Sequence, residues 1–208
     1  RLRAILAELT TGLRFVLVNR LVTFVVVLAV ATILAAGSTN ALGVIYIRDV
    51  LSAGPGTLGT LLSSLGIGAL TGVFLIGKFA QKVSRVRMIT GGVFTLGLGI
   101  FALTMISHVQ EATVCVFVLG LAAASVLISS QTLVQEQTPL AMIGRVGSAS
   151  MSLILTTQII SITAAGWAAT WLGIKGLYRI TGLLLILAAS LGLAYLRKSP
   201  VGGVSEKR

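Results

Sequence analysis

The sequence predicts an all-α integral membrane protein with six transmembrane helices, and three observations carry that prediction. Of its 208 residues, 56% are hydrophobic and 10% charged, against roughly 25% charged in an ordinary soluble domain. Apolar stretches recur six times, each bounded by charges, Pro or Gly clusters, and each has the roughly 20 residues that a helix needs to cross a bilayer. The mean hydropathy of +1.04 leaves no segment for a soluble domain. Helices are expected because a helix satisfies its own backbone hydrogen bonds in hydrocarbon, and the alternating pattern of a membrane β-barrel is absent.

Taken in order, residues 1–20 place Leu2, Ile5, Leu6, Leu9 and Leu13 at helical spacing among Arg1, Arg3, Glu8 and Arg14. That is the pattern of a cytoplasmic interfacial amphipathic segment. A bundle over 21–196 follows, with spans at about 21–46, 57–80, 88–107, 112–135, 147–171 and 177–196, and a cytoplasmic tail at 197–208. The connections are short: Arg48–Gly56 with its Gly-Pro-Gly turn, Ser107–Glu111, and Glu136–Val146 with Pro139. Gly66, Gly68, Gly72 and Gly77 in the second span and Gly91, Gly92, Gly97 and Gly99 in the third predict close helix packing, or bending points.

The net charge of +11 arises from 16 Lys+Arg against 5 Asp+Glu. With the N-terminus in the cytoplasm, 13 of the cations fall inside and only Arg48, Lys175 and Arg179 outside. This asymmetry follows the positive-inside rule and predicts the cytoplasmic (plasma) membrane with both termini cytoplasmic. It accounts for the charge with the lipid bilayer as partner and no nucleic acid. The lone Cys115 supports neither a disulfide framework nor a Cys-based metal site. No cofactor or metal is expected, and no catalytic residue is assigned: the single His108 lies in an outside loop, away from any nucleophile, and no phosphate-cradling Gly-Lys-Ser/Thr loop occurs. A chain opening on Arg1 without a signal pattern reads as one part of a larger polypeptide.

Polar residues in the spans are candidates for lining a wet cavity, since they are costly at membrane depth. By span, Ser, Thr, Asn and Gln number 5, 5, 4, 7, 9 and 2, so the third and sixth spans are expected to face lipid. The fourth carries a stripe of Ser125, Ser129, Thr132, Gln135 and Glu136, and the fifth one of Ser150, Ile154, Thr157, Gln158, Ser161 and Ala165. The cavity candidates are Ser38, Asn40, Ser64, Ser125, Ser129, Thr157, Gln158 and Ser161. The alternative is local: Ser and Thr hydroxyls bond their own i−4 carbonyls or tie helices together, whereas the amides of Gln158 and Asn40 need other partners.

The second inside loop, Gly77-Lys78-Phe79-Ala80-Gln81-Lys82-Val83-Ser84-Arg85-Val86-Arg87, resembles the G-x-L-A-D-R-x-G-R-K loop of the major facilitator superfamily. Gly77, Ala80, Lys82 and Arg85 match; Gln81 in place of Asp and Ser84 in place of Gly point to the degenerate copy between that family's eighth and ninth helices. Glu8 to Phe15 with Asn19-Arg20 is similar to the segment before helix seven in the drug- and siderophore-exporting branch. Gln131 to Glu136 with Pro139, Gly144, Arg145 and Val146 looks like that branch's tenth-to-eleventh junction, although Ile143 stands where an Arg is frequent.

The resemblance implies helices seven to twelve of a twelve-helix transporter, with a 3+3 inverted repeat and alternating access. It implies as partners an N-terminal six-helix half, a small-molecule substrate such as a drug or siderophore, and a proton as candidate coupling ion. Gly77, Lys82, Arg85, Gln135, Glu136, Pro139, Gly144 and Arg145 are then candidates for the cytoplasmic gate and its loops. Glu136 with Lys82, Arg85 and Arg145 is read as a charge cluster that breaks between states, against the plainer reading of a solvated carboxylate. The rival architectures are a six-helix protein that dimerises and a non-transporting membrane scaffold.

Overall fold

The computed structural model describes residues 18, 20–54, 56–79 and 83–198. Most of the interfacial segment 1–20, most of the tail 197–208, and Lys82 therefore lie outside the described residues. Among those described there is no strand. The helices are α1 (Arg20–Asp49), α2 (Gly56–Phe79), α3 (Arg85–Leu103), α4 (Val109–Gln137) and α5 (Ile143–Lys198), with a short 3₁₀ turn at Leu140–Met142 before α5. All five are long and apolar enough to cross a membrane.

The helix ends depart from those read off hydropathy. The first helix runs on through Arg48 and Asp49, because a basic residue in a last turn suits the helix dipole and a charge alone does not stop a helix. The third starts at Arg85, after Ser84 takes an extended conformation with φ −62° and ψ 141° and its carbonyl accepts from the Met88 N–H at 3.1 Å. It ends at Leu103, where the Thr104 hydroxyl donates to the Phe101 carbonyl at 2.8 Å. Met105 and Ile106 are apolar, but hydropathy does not separate a helical turn from an apolar connection.

The largest departure is α5. Instead of two helices joined by a loop over 172–176, one element of 56 residues carries a single non-helical residue, Gly173, at φ 67° and ψ 169°. Its two arms run along α1 in opposite senses. In the first arm Ser161 donates to the Leu34 carbonyl at 2.6 Å. In the second, the Tyr178 hydroxyl donates to the Thr39 carbonyl at 3.4 Å, and Gly192 lies against the Phe24 ring. The chain thus reverses at one residue, in a region of backbone space that belongs to glycine.

In the bundle, α2 packs chiefly on α4, α1 on α5, and α3 on both α4 and α5. Lipid tails are as apolar as Leu, so helices associate through close packing and polar contacts. At the crossing of α3 and α5, a Cβ placed on Gly97 would lie 2.9 Å from the Gly182 carbonyl oxygen and from the Ile186 nitrogen, and one on Gly182 would lie 2.8 Å from the Gly97 carbonyl. Gly68 and Gly120 bring α2 and α4 together in the same way. Gly66, Gly77 and Gly91, expected in such contacts, instead face open space, because only one face of each helix meets its neighbour. The completely buried Val25, Ile89, Val93 and Ala189 centre the core on α1, α3 and the second arm of α5.

Candidate functional site

Helices α1 and α4 run antiparallel: Val26 and Val134 share a small core cluster at one end, and Ile47 and Leu119 share a cavity at the other. The first end carries a charged contact between helices. A guanidinium nitrogen of Arg85, from the start of α3, donates to Glu136 Oε1 in the last turn of α4 at 3.3 Å. Its side chains are 29% and 50% exposed, so the pair is worth about 0–1 kcal/mol and can open at little cost. Pro139 precedes the 3₁₀ turn, and Gly144 and Arg145 are exposed in the first turn of α5. At the opposite end Arg48 and Asp49 lie 3.9 Å apart, both largely exposed.

Beside the Arg85–Glu136 end, α1, α4 and the first arm of α5 border a half-open cavity of about 300 Å³. Its apolar wall comes from residues such as Val25, Ala29, Val30 and Ile154; its polar groups are Ser130, Gln131, Gln135 and Ser150. Among the described residues, no charged side chain lines it. The Ser129, Ser130 and Ser150 hydroxyls are buried without a hydrogen-bond partner in the structure, and such groups typically cost about 1–3 kcal/mol each when left unmade. Neutral polar groups on an apolar wall are what an uncharged amphipathic molecule requires.

Toward the other end lies a smaller cavity of about 150 Å³ between α1, α2 and α4. Asn40 is exposed at its wall, and the stacked rings of Tyr46 and Tyr178, 5.6 Å between centroids, form one side. The Tyr46 hydroxyl is engaged, donating to the Leu103 carbonyl at 2.8 Å.

The sequence candidates fall into several environments. Asn40 lines the smaller cavity and Gln135 the larger. Ser38 is buried and donates to the Ala35 carbonyl of its own helix at 2.7 Å. Ser64 ties α2 to α4 by donating to the Thr113 carbonyl at 2.8 Å. Thr157, Ser161 and Ala165 are buried at four-residue intervals along the first arm, and Ser161 sits directly beneath the Gly37 backbone of α1. Ser129 is completely buried, Ser125 half-buried and Gln158 exposed, and none of the three lines either cavity. Gly77 is exposed with open space around it.

Ser130 and Gln131, which line the larger cavity, are not among the sequence candidates, and the difference is one of phase. The stripe read on α4, Ser125, Ser129, Thr132, Gln135 and Glu136, meets the cavity only at Gln135, and its Ser129 lies one residue away from the face that turns to the cavity. The polar doublet Ser130-Gln131, one turn before Gln135, was the signal available.

A helical bundle with five membrane-capable elements, a charge pair at one end and uncharged cavities between its helices defines a multi-pass membrane protein. The chain belongs to the Major Facilitator Superfamily, whose profile matches residues 23–207; members of that family are transporters, not enzymes. It is 29% identical over 199 residues to an uncharacterized MFS-type transporter, YfiS, of Bacillus subtilis (strain 168), a match that covers 88% of this chain and 45% of the relative. The chain therefore spans less than half the length of the curated relative it matches.

Proposed function

We propose that this chain is the C-terminal half, helices seven to twelve, of a secondary transporter that exports amphipathic small molecules by alternating access. On this reading it lies in the cytoplasmic membrane with both termini cytoplasmic, and the two arms of α5 count as two crossings, making six. The packing pattern supports a 3+3 inverted repeat. Pairing α1 with α4, α2 with α5's first arm and α3 with its second turns the α2–α4 contact into the α5–α1 contact, and leaves the contact of α3 with the second arm unchanged.

The observation that carries the reading is the uncharged 300 Å³ cavity at the end closed by Arg85 and Glu136. Gln131 and Gln135 orient an uncharged polar group there while the valines supply contact area. The Arg85–Glu136 pair acts as the cytoplasmic gate, weak enough to break in each cycle. Exposed apolar faces, such as Ile67, Leu70 and Phe74 of α2, meet lipid or the N-terminal half. The acids Asp49, Glu111 and Glu136 sit at helix ends, so we assign any proton-carrying carboxylate of the membrane interior to that other half.

The test is flux of uncharged amphipathic dyes from liposomes holding the full-length transporter. Gln131→Leu should lower flux about tenfold, the worth of a hydrogen bond of about 1.4 kcal/mol. Flux that is absent for every dye, or indifferent to Gln131→Leu and Gly147→Leu alike, overturns the assignment.

A further inference from the structure

The two cavities occupy matching positions on different helices. On α4, the larger is lined by Ser130, Gln131, Val134 and Gln135; on α1, the smaller is lined by Thr39, Asn40, Gly43 and Val44, each 91 residues earlier, and continues one turn further to Tyr46 and Ile47. The facing helices agree as well. Gly147, Ser150, Met151 and Ile154 of the first arm follow Leu58, Leu61, Leu62 and Leu65 of α2 by 89 residues each. Any helix face shows an i, i+1, i+4, i+5 rhythm. Depth along the helix is free to differ, however, and here two independent helix pairs agree to within two residues. Because α1 and α4 are antiparallel, the cavities lie at opposite ends of the bundle.

The chemistry is retained along with the place. A hydroxyl followed by an amide, Ser130-Gln131, corresponds to a hydroxyl followed by an amide, Thr39-Asn40. The Thr39 hydroxyl is engaged with the Ala36 carbonyl at 3.0 Å, which leaves the Asn40 amide as the group offered to a ligand. Among the described residues, no charged side chain lines either cavity.

We propose that the smaller cavity is a second binding site, at the end remote from Arg85 and Glu136. It takes the uncharged ring-bearing part of the same class of molecule that the larger cavity takes, with Asn40 in the role of Gln131. This rests on the reading of the larger cavity as a solute site. The occupant follows from size and lining: a cavity of about 150 Å³ accommodates one benzene-sized ring, leucines from α2 and the Tyr46–Tyr178 stack give it an apolar and aromatic wall, and one amide meets one polar substituent. The molecule thus meets the same arrangement of groups at each end of its route, first in a cavity twice the size.

The test uses benzophenone, an uncharged diaryl ketone, as photolabel on the full-length protein in phosphatidylcholine vesicles, with labelled peptides mapped by mass spectrometry. Gly43 and Gly147 each line one cavity, and a Cβ on either meets nothing within 4 Å, so Gly43→Leu and Gly147→Leu each add a side chain at the wall of one cavity with no clash at the Cβ. Label is expected in both 39–65 and 130–154. Gly43→Leu should lower the first at least fivefold and leave the second within twofold, with the converse for Gly147→Leu. Label confined to 130–154 and lost in Gly147→Leu, or label in 39–65 that Gly43→Leu leaves unchanged, overturns the second site while the larger cavity stands. Label in neither region overturns both.

Discussion

Replacing Gly97 and Gly91 of α3 by Leu makes the same chemical change six residues apart, with opposite expected signs. At Gly91 an added Cβ meets nothing within 4 Å, and exchanging Gly for Leu in a helix contributes about 0.8 kcal/mol of intrinsic helix stability. At Gly97 the first added carbon already lies 2.9 Å from the Gly182 carbonyl oxygen, the Ile186 nitrogen and Ile186 Cγ1. Two of those three atoms are backbone, so relief requires α3 and α5 to separate and lose contact along the crossing. Overpacking of this kind costs about 1–3 kcal/mol or more, and three further carbons have to be placed. The propensity gain does not offset it, and a net loss of about 3 kcal/mol is expected for Gly97→Leu. For a chain of this size that is a fall in Tm of roughly 6–12 °C, against no change or a small rise for Gly91→Leu. Cys115 of α4 serves as the reporter: it is the single cysteine, half-buried, with its thiol 3.3 Å from the carbonyl of Gly99 on α3, the helix that carries both substitutions. A thiol-reactive fluorophore reads its exposure on heating in detergent. Equal melting of the two variants would refute the close approach of α3 and α5.

Other outcomes follow from the same geometry. Glu136→Gln removes the ion pair with Arg85 at a stability cost below about 1 kcal/mol yet should alter transport rate or the balance between states, and the charge-swapped double variant Arg85→Glu with Glu136→Arg should recover part of it; unchanged flux in Glu136→Gln retires the gate. Gly173→Ala places a side chain in open space but at φ 67° and ψ 169°, so backbone strain alone should cost about 1–3 kcal/mol in the same melting assay. Ser161→Ala deletes the hydrogen bond to Leu34 across α1 and α5 and should cost about 0.6–1.7 kcal/mol, while Ser38→Ala, whose bond stays within its own turn, should cost less.

The candidate site was legible only in part. Polar residues in the fourth and fifth spans pointed to two of the helices that border the larger cavity, and Ser150, Ile154 and Gln135 line it. Ser129, Thr157 and Ser161 belong to faces turned toward neighbouring helices. On a helix with polar residues on two adjacent faces the hydroxyls alone do not say which face a neighbour covers: Ser129 and Ser130 lie on different faces, and both are buried without a hydrogen-bond partner. Glu136 and Arg85 are 51 residues apart; their charges marked them out, and only the packing of α3 on α4 brings them to 3.3 Å.

Composition and hydropathy by themselves determined that the chain is helical and threads a bilayer, because a backbone in hydrocarbon has few ways to satisfy its hydrogen bonds. The run of Gly, Lys and Arg around residues 77–87 also carried the family. What only the tertiary structure decided is which glycines are contacts, that α5 reverses at the single residue Gly173, and that two uncharged cavities open at equivalent depths near opposite ends of the bundle. These depend on helix rotation and mutual depth. Lipid and protein are alike apolar to a residue at membrane depth, so a linear pattern of hydrophobicity cannot record which of the two each helix face will meet.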